Sequence, residues 1–193
     1  MPVRIQSIAS ETIAEEIGIK PADILISING HEIQDVLDYI FYQAEEKLTL
    51  RIQSGEHTFT HFFEKEIDED IGLGLYPLKV RKCRCNCIFC FVDQIHPDAR
   101  GSLKVKDDDF RLSFFHGNFI TLSNLTKKDY SRIIEQQLSS LYISVHTTND
   151  DLRQKIMRYK KEISIMDKLS LFAENEIMIH TPVSYTHLTL PTN

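Results

Sequence analysis

Cys83-Arg-Cys-Asn-Cys87-Ile-Phe-Cys90 decides how the rest of the chain is read. Cys83, Cys87 and Cys90 are spaced C-x3-C-x2-C, with Phe89 directly before the last, and all four cysteines of the chain fall within these eight residues. A disulfide framework spreads its cysteines to staple distant loops, whereas a tight cluster reads as metal or redox chemistry. Three thiolates on one short loop can hold three irons of a 4Fe–4S cluster and leave the fourth open to chelate a small molecule. Zinc is the competing reading. Structural zinc wants four closed ligands, typically from two separated pairs. The second pair is missing here, although a histidine such as His96 could complete a site. Cys85, inside the spaced trio, reads as a bystander, a fourth thiol near the site or a competing ligand.

Lys79, Arg81, Lys82 and Arg84 place positive charge at the start of this loop. Such charge favours thiolate and offsets an anionic cluster; the plainer reading is a solvated basic patch. Charge is unevenly divided along the chain. Residues 1–75 carry 5 Lys+Arg against 15 Asp+Glu, a net of −10, whereas residues 76–193 carry 17 against 13, a net of +4. The break supports a domain boundary near residue 75. Neither half has the basic stripe of a nucleic-acid binder. The 193 residues, 42% hydrophobic and 26% charged, suit one large or two small globular domains. No apolar run approaches the roughly 18 residues that span a bilayer. Met1-Pro-Val-Arg4 lacks the start of a signal peptide, so a cytoplasmic location is the default.

In the acidic half, Ser10 can cap a short helix over Glu11–Ile17, with Gly18 as its stop. An apolar strand follows at Ile24–Ile28, then an Asn29-Gly30 turn and an amphipathic helix over Asp35–Ala44. Alternating segments at Leu48–Ile52 and Thr58–Phe63 flank Ser54-Gly55 and read as a hairpin. Beyond the cysteines, an apolar stretch at Leu112–Leu122 reads as a strand, interrupted or bulged near His116-Gly117. A helix from Thr126 to about Gln137, a strand at Leu141–Val145, a helix from Asn149 or Asp150 to about Tyr159, a helix at Ile163–Asn175 and a strand at Ile177–Thr181 complete the pattern. That alternation implies right-handed βαβ units and a parallel sheet. Ligands of such folds gather at the C-terminal ends of strands, which singles out Ser144 and His146. Asp107-Asp108-Asp109 reads as an ion-pair network with Lys104, Lys106 and Arg111, because consecutive residues of an extended segment point to opposite sides. Asp93 and Gln94 read as residues that order the cysteine loop.

The run Ala14-Glu-Glu-Ile-Gly-Ile-Lys-Pro-Ala-Asp-Ile-Leu-Ile-Ser-Ile-Asn-Gly30 resembles a bacterial PDZ domain, with Ala22 where a glycine is usual. The resemblance implies capture of a peptide or protein C-terminus by strand addition and a glycine-containing loop. Ile71-Gly72-Leu73-Gly74-Leu75 supplies that loop if the module is permuted; otherwise these glycines are a hinge. The cysteine spacing is similar to that of radical S-adenosylmethionine (SAM) enzymes. Together with Cys90-Phe-Val-Asp-Gln94, Lys106-Asp-Asp-Asp-Phe-Arg-Leu-Ser-Phe114 and Ser144-Val-His-Thr147, it resembles a bacterial family that joins a PDZ domain, a radical SAM domain and a C-terminal domain of unknown function. The resemblance covers about residues 1–181.

It implies an α/β chain: an N-terminal PDZ-like α+β module, then the first part of a radical SAM partial (βα)6 barrel. Its expected boundaries are 1–65 for the PDZ-like domain, 66–77 for an acidic and glycine linker, and 78–181 for an incomplete radical SAM domain. It implies a 4Fe–4S cluster on Cys83, Cys87 and Cys90, with SAM on the open iron and reductive cleavage to a 5′-deoxyadenosyl radical. It also implies a reductant such as flavodoxin or ferredoxin and a substrate that no residue here identifies. Phe89, Gly117, Asn118, Ser144 and His146 are the candidate cofactor contacts, with Gly117-Asn118 standing in for the family's usual G-G-E. Val183–Asn193 resembles a sequencing read-through, so 182–193 is expected to be an artefactual tail on a fragment. Two readings compete with the enzyme: a PDZ-type binding module with a zinc-stabilised appendage, and an iron–sulfur carrier or sensor that takes no SAM.

Overall fold

A computed structural model describes residues 3–160 and 163–181; the expected tail at 182–193 lies outside the described residues. The chain divides into two compact units, Met1–Lys79 and Val80–Asn193. Among the described residues, no helix is long and apolar enough to cross a membrane.

The first unit is an antiparallel sheet with two short helices. In chain order it runs β1 (Val3–Ile8), α1 (Ile13–Glu16), β2 (Ile24–Ile28), β3 (His31–Glu32), α2 (Val36–Tyr42), β4 (Lys47–Ser54), β5 (His57–Glu64) and β6 (Leu73–Leu75). The strands lie in the order β5-β4-β2-β1-β6, with β3 paired to β2. Strand alternation decides the buried face: Leu48, Leu50 and Ile52 of β4 join Ile5, Leu25, Ile28 and Tyr39 in the core. Asn29 and Gly30 both have positive φ, as a tight hairpin turn requires, and the Asn29 amide bridges Thr49 N and Lys47 O. Asp35 caps α2 by accepting from Leu37 N and Asp38 N.

Two expectations change here. Thr12, not Ser10, stands at the N-cap of α1, which begins later than expected because Glu11 takes a positive φ. Residues 71–75, read as part of a linker from their glycine content, form the sixth strand and its approach. Ile71 is fully buried, and β6 pairs with β1.

The second unit begins with an irregular, hydrogen-bonded cysteine segment. It continues as α3 (Phe110–His116), β7 (Phe119–Ile120), α4 (Lys127–Glu135), β8 (Leu141–Ile143), α5 (Asp150–Met157), α6 (Ile165–Glu174) and β9 (Ile179–His180). The three strands pair in parallel in the order β7-β8-β9. This is the parallel β/α segment expected of a partial radical SAM domain.

Leu112–Leu122 is not one strand. Its first part is helix α3, nucleated by the Asp109 cap and stopped by Gly117 at φ 72°. An apolar run of that length does not distinguish helix from strand by periodicity. Gly117 is therefore a helix terminator rather than a strand bulge, with Tyr142 packed 3.4 Å from where its Cβ would stand. Thr126, Asn149 and Ser164 cap α4, α5 and α6, and Thr126 and Asp129 close a reciprocal capping box.

Gly72 is the least replaceable turn residue in the first unit. Its φ is +93°, and a Cβ there would meet Thr12 side-chain atoms at 2.2–2.7 Å. Gly72→Ala should lower stability by about 3 kcal/mol, combining left-handed backbone strain with overpacking. Gly55→Ala, with open space around it, should cost about 1 kcal/mol. Equal thermal midpoints for the two variants would contradict this packing.

Candidate functional site

The cysteine segment is held from two sides. On one side it pairs with the segment before α3: Cys83 N donates to Lys106 O at 2.9 Å and Asp108 N to Arg81 O at 2.9 Å. On the other, Asn86 N and Ile88 N donate at 3.0 Å to Met157 O and Ile156 O at the end of α5. These are carbonyls a helix C-terminus leaves without an intrahelical partner. The loop thus uses the end of α5 as its frame.

The four thiols are not equivalent. Cys85 is buried with Met157, Tyr159 and Ile163, whereas Cys83, Cys87 and Cys90 are only partly buried. Cys85 Sγ lies 3.6 Å from Thr121 Oγ1, and Cys85 N donates to Cys83 Sγ at 3.4 Å. Cys85 also hydrogen-bonds the Cys83 and Cys87 thiols, which favours its thiolate; that bonding and burial push the other two up. Cys90 touches a different pair. Lys106 Nζ sits 2.6 Å from Asp93 Oδ2, and both hydrogen-bond the Cys90 side chain. The Lys106 bond holds the Asp93 carboxyl below its ordinary range.

Beneath the loop lies a buried polar group. Asp108 is fully buried and accepts from Thr121 N, Thr121 Oγ1 (2.7 Å) and Ser123 Oγ (3.0 Å). Burial pushes its carboxyl up, against the pull of those bonds. The three aspartates thus diverge. Asp109 pairs with Arg111 at 2.6 Å, Asp107 takes Asn118 Nδ2 at 2.8 Å, and Lys106 pairs with Asp93 instead of the run. The expected ion-pair network survives only as Asp109–Arg111. Arg81 reaches Asp129 at 2.7 Å and, with Arg132, covers the Phe110 ring.

Arg153 is a buried cation. It projects from α5 and is fully buried. Its Nη2 donates at 2.9 Å to Thr121 O and Ser144 O, its Nε at 3.1 Å to Val145 O, and its Nη1 at 3.3 Å to Tyr159 Oη. One guanidinium thus ties the C-terminal ends of β7 and β8 to the helix that frames the cysteines.

Among the residues singled out from sequence, Phe89 and His146 meet, their ring centroids 4.5 Å apart. Ser144 joins them at the strand ends, its N–H on Ile120 O at 2.8 Å. Gly117 and Asn118 are not brought to those ends; they precede β7, and Thr121–Asn124 follows it instead. Asp108, Thr121, Ser123, Asn124 and Arg153 were missed. Asp108 was hidden in an acidic run, and Arg153 in a helix whose charge looks solvated. Thr121–Asn124 carries the one available signal, three polar residues around Leu122 at the end of an apolar stretch. Asn124 is singular: its Nδ2 donates to Asp108 O (2.8 Å) and Lys82 O (3.3 Å). Its Oδ1 is the one buried side-chain N/O atom without a partner among the described residues.

The donor set is sulfur. Among the described residues, no three His, Cys, Asp or Glu side chains converge as a site for one metal ion requires. An iron–sulfur cluster takes one thiolate per iron, so its ligands need not meet at a point. Three partly exposed thiols on one loop, with Lys106 beside Cys90 and a backbone N–H on Cys83 Sγ, fit that demand.

Arg153→Met should cost about 2–4 kcal/mol, because the carbonyls of Thr121, Ser144 and Val145 lose their donor in a buried place. Arg153→Lys should recover only part of it, since an ammonium cannot span the same fork; chemical denaturation measures both. His146 gives a pH signature. Burial, and then Arg153, hold its pKa below 6.5. The unfolded chain therefore takes the proton first, and stability should fall as pH drops from the unfolded pKa near 6.5 to the lower folded value. His146→Gln should flatten that part of the stability–pH curve.

Residues 65–187 match the Radical SAM-like domain family, and residues 4–54 match the PDZ domain family. No curated protein matches the chain. Among solved structures, the PDZ domain of an SdrC-like protein from Listeria monocytogenes is 17% identical; the match covers 38% of this chain and 85% of that one, with a TM-score of 0.32. The first match spans more than half of the sequence, and the parallel strands and the cysteine loop all lie inside it. The chain belongs to the Radical SAM-like domain family, with a PDZ domain N-terminal to that domain.

Proposed function

We propose that the chain carries the cluster-binding part of a radical SAM enzyme, with Cys83, Cys87 and Cys90 as ligands of a 4Fe–4S cluster. The observation that carries this reading is the sorting of the thiols: three stay partly exposed on a framed loop, while Cys85 is buried against Met157, Tyr159 and Ile163. When bound, the cluster would hold SAM at its open iron and supply the electron that cleaves it to a 5′-deoxyadenosyl radical. A reductant such as flavodoxin or ferredoxin would deliver that electron.

The chain's own residues position and insulate. The buried Asn124 Oδ1 is an acceptor awaiting a donor and suits the ammonium group of SAM, a role the sequence suggests for Gly117-Asn118. The Phe89 and His146 rings meet at the strand ends, where Arg153 holds the Ser144 carbonyl. Lys106 offsets negative charge at Cys90. Cys85 is a structural partner of the ligand thiols rather than a bystander.

A second reading concerns the PDZ unit. Edge strand β6 follows Gly72 and runs close to α2, whose Tyr39 Oη accepts from Leu73 N at 3.3 Å. That is the permuted placement of a peptide-docking groove, where an extended segment adds to the sheet edge.

Anaerobic reconstitution tests the cluster. Cys83→Ala, Cys87→Ala and Cys90→Ala should each lose most of the bound iron and sulfide, and Cys85→Ala should retain it. Addition of SAM should shift the electron paramagnetic resonance signal of the reduced wild-type cluster. Equal loss in all four variants would overturn the ligand assignment. A cluster blind to SAM would favour a carrier or sensor, and a colourless protein with one bound zinc would favour a binding module with a metal-stabilised appendage.

A further inference from the structure

We propose that the glycine loop of the PDZ unit is closed by the chain's own carboxylate. Asp70 takes the central backbone N–H, and Tyr39 and Gln43, which brace it, take the N–H groups on either side, so the nest that would otherwise receive a ligand's C-terminal carboxylate is already spent. The module is therefore specific for extended ligands without a free C-terminus. This rests on the peptide-docking reading of the PDZ unit and deepens it.

Capture of a C-terminal carboxylate needs backbone N–H groups that converge on an anion and are otherwise unspent. Here the three successive donors of the loop are already used. Ile71 N donates to Gln43 Oε1 at 3.4 Å, Gly72 N to Asp70 Oδ1 at 2.6 Å, and Leu73 N to Tyr39 Oη at 3.3 Å. Asp70 in turn accepts from Tyr39 Oη at 3.0 Å and from Gln43 Nε2 at 3.2 Å. Its carboxylate thus collects one backbone N–H, a phenol and an amide.

A turn that merely caps β6 would need only the local Asp70–Gly72 bond. The other two donors come from the second helix and its C-cap, 31 and 27 residues away in sequence. Tyr39 and Gln43 stand one helical turn apart, so both reach the same carboxylate. Tyr39 is buried, and burial together with Asp70 keeps its phenol protonated and donating. Electrostatics act in the same direction. Glu64, Glu66, Asp68 and Glu69 precede Asp70 within seven residues. An incoming carboxylate would have to displace Asp70 and lie beside these charges, since two carboxylates sharing one site repel. A carboxamide or an internal segment carries no such cost.

The test is a titration of the full chain, read at the backbone amide signals of Gly72 and Leu73 by NMR. The probes are sodium acetate and the tripeptide N-acetyl-Val-Thr-Val, as free acid and as carboxamide. In wild type, acetate should leave both amides unshifted, and the free acid should bind no tighter than the carboxamide. In Asp70→Ala, acetate should shift both amides saturably, and free-acid affinity should rise at least tenfold with the carboxamide changed less than twofold. Asp70→Asn keeps an oxygen for Gly72 N and should behave like wild type toward acetate. If Asp70→Ala does not fold, Asp70→Gly, which also removes the carboxylate, should gain the acetate response in its place. Saturable acetate binding or a tenfold free-acid preference in wild type would overturn the proposal, as would an Asp70→Ala or Asp70→Gly protein that folds and gains nothing. If the folded variant takes acetate but neither tripeptide, the self-filled nest stands and the peptide-docking reading falls.

Discussion

The second unit is organised around one buried guanidinium. Arg153 bonds the carbonyls of Thr121, Ser144 and Val145, and the helix that carries it presents Ile156 O and Met157 O to the cysteine loop. The strands involved are two or three residues long. A parallel ladder of that length supplies few hydrogen bonds, and parallel pairing is the slightly weaker kind. Arg153 adds the cross-links the ladder lacks, at the end where ligands of such sheets gather. The geometry of the cysteine loop then follows from α5, and the position of α5 follows from Arg153.

The same contact accounts for an unusual backbone. Leu122 and His146 both have φ near 62°, a region that L side chains rarely adopt. Each directly follows a residue whose carbonyl Arg153 holds: Thr121 before Leu122, Val145 before His146. Local strain of this kind persists only where the surroundings over-determine it, and it collects at functional sites. Here a rigid five-donor fork fixes the carbonyls, and the side chains beyond them turn. His146 reaches Phe89 as a result, so a residue of the loop after β8 touches the cysteine segment.

Much of this fold was legible in the sequence, because local rules and tertiary packing agreed. Ile24–Ile28, the Asn29-Gly30 turn, the Thr126 and Asn149 helix starts and the Leu141 strand all combine a cap or turn residue with a clear apolar period. The misreadings share one cause, in that a partner distant in sequence decided the outcome. Residues 71–75 look like a hinge until β1 supplies a pairing strand. Leu112–His116 looks extended until Asp109 caps a helix over it. Asp108 looks like a member of an ion-pair network until Thr121 and Ser123 supply its donors. Of the candidate site residues, spacing singles out the cysteines and a strand end singles out Ser144 and His146, and the structure brings Phe89 and His146 together. Arg153 could not, because a buried cation satisfied by carbonyls leaves no acidic partner to mark it.

Thr121 shows how two buried charges are made tolerable without touching. Asp108 takes its amide N–H and its hydroxyl, while Arg153 takes its carbonyl. The residue is thereby bracketed by an anion on the donor side and a cation on the acceptor side. Both charges are fully buried, where either alone would be expensive, and hydrogen bonds spread each over several neutral groups. Coulombic attraction across one residue offsets part of the remaining cost. Cys85 abuts this unit through Thr121 Oγ1, so the charge state of the thiols is felt by Asp108: a thiolate at Cys85 pushes the Asp108 carboxyl further up. Arg153 reaches both strand ends because its planar fork carries several donors and can serve the carbonyls of Thr121, Ser144 and Val145 together. Asp108, an acceptor, is confined to the donors of Thr121 and Ser123 after β7.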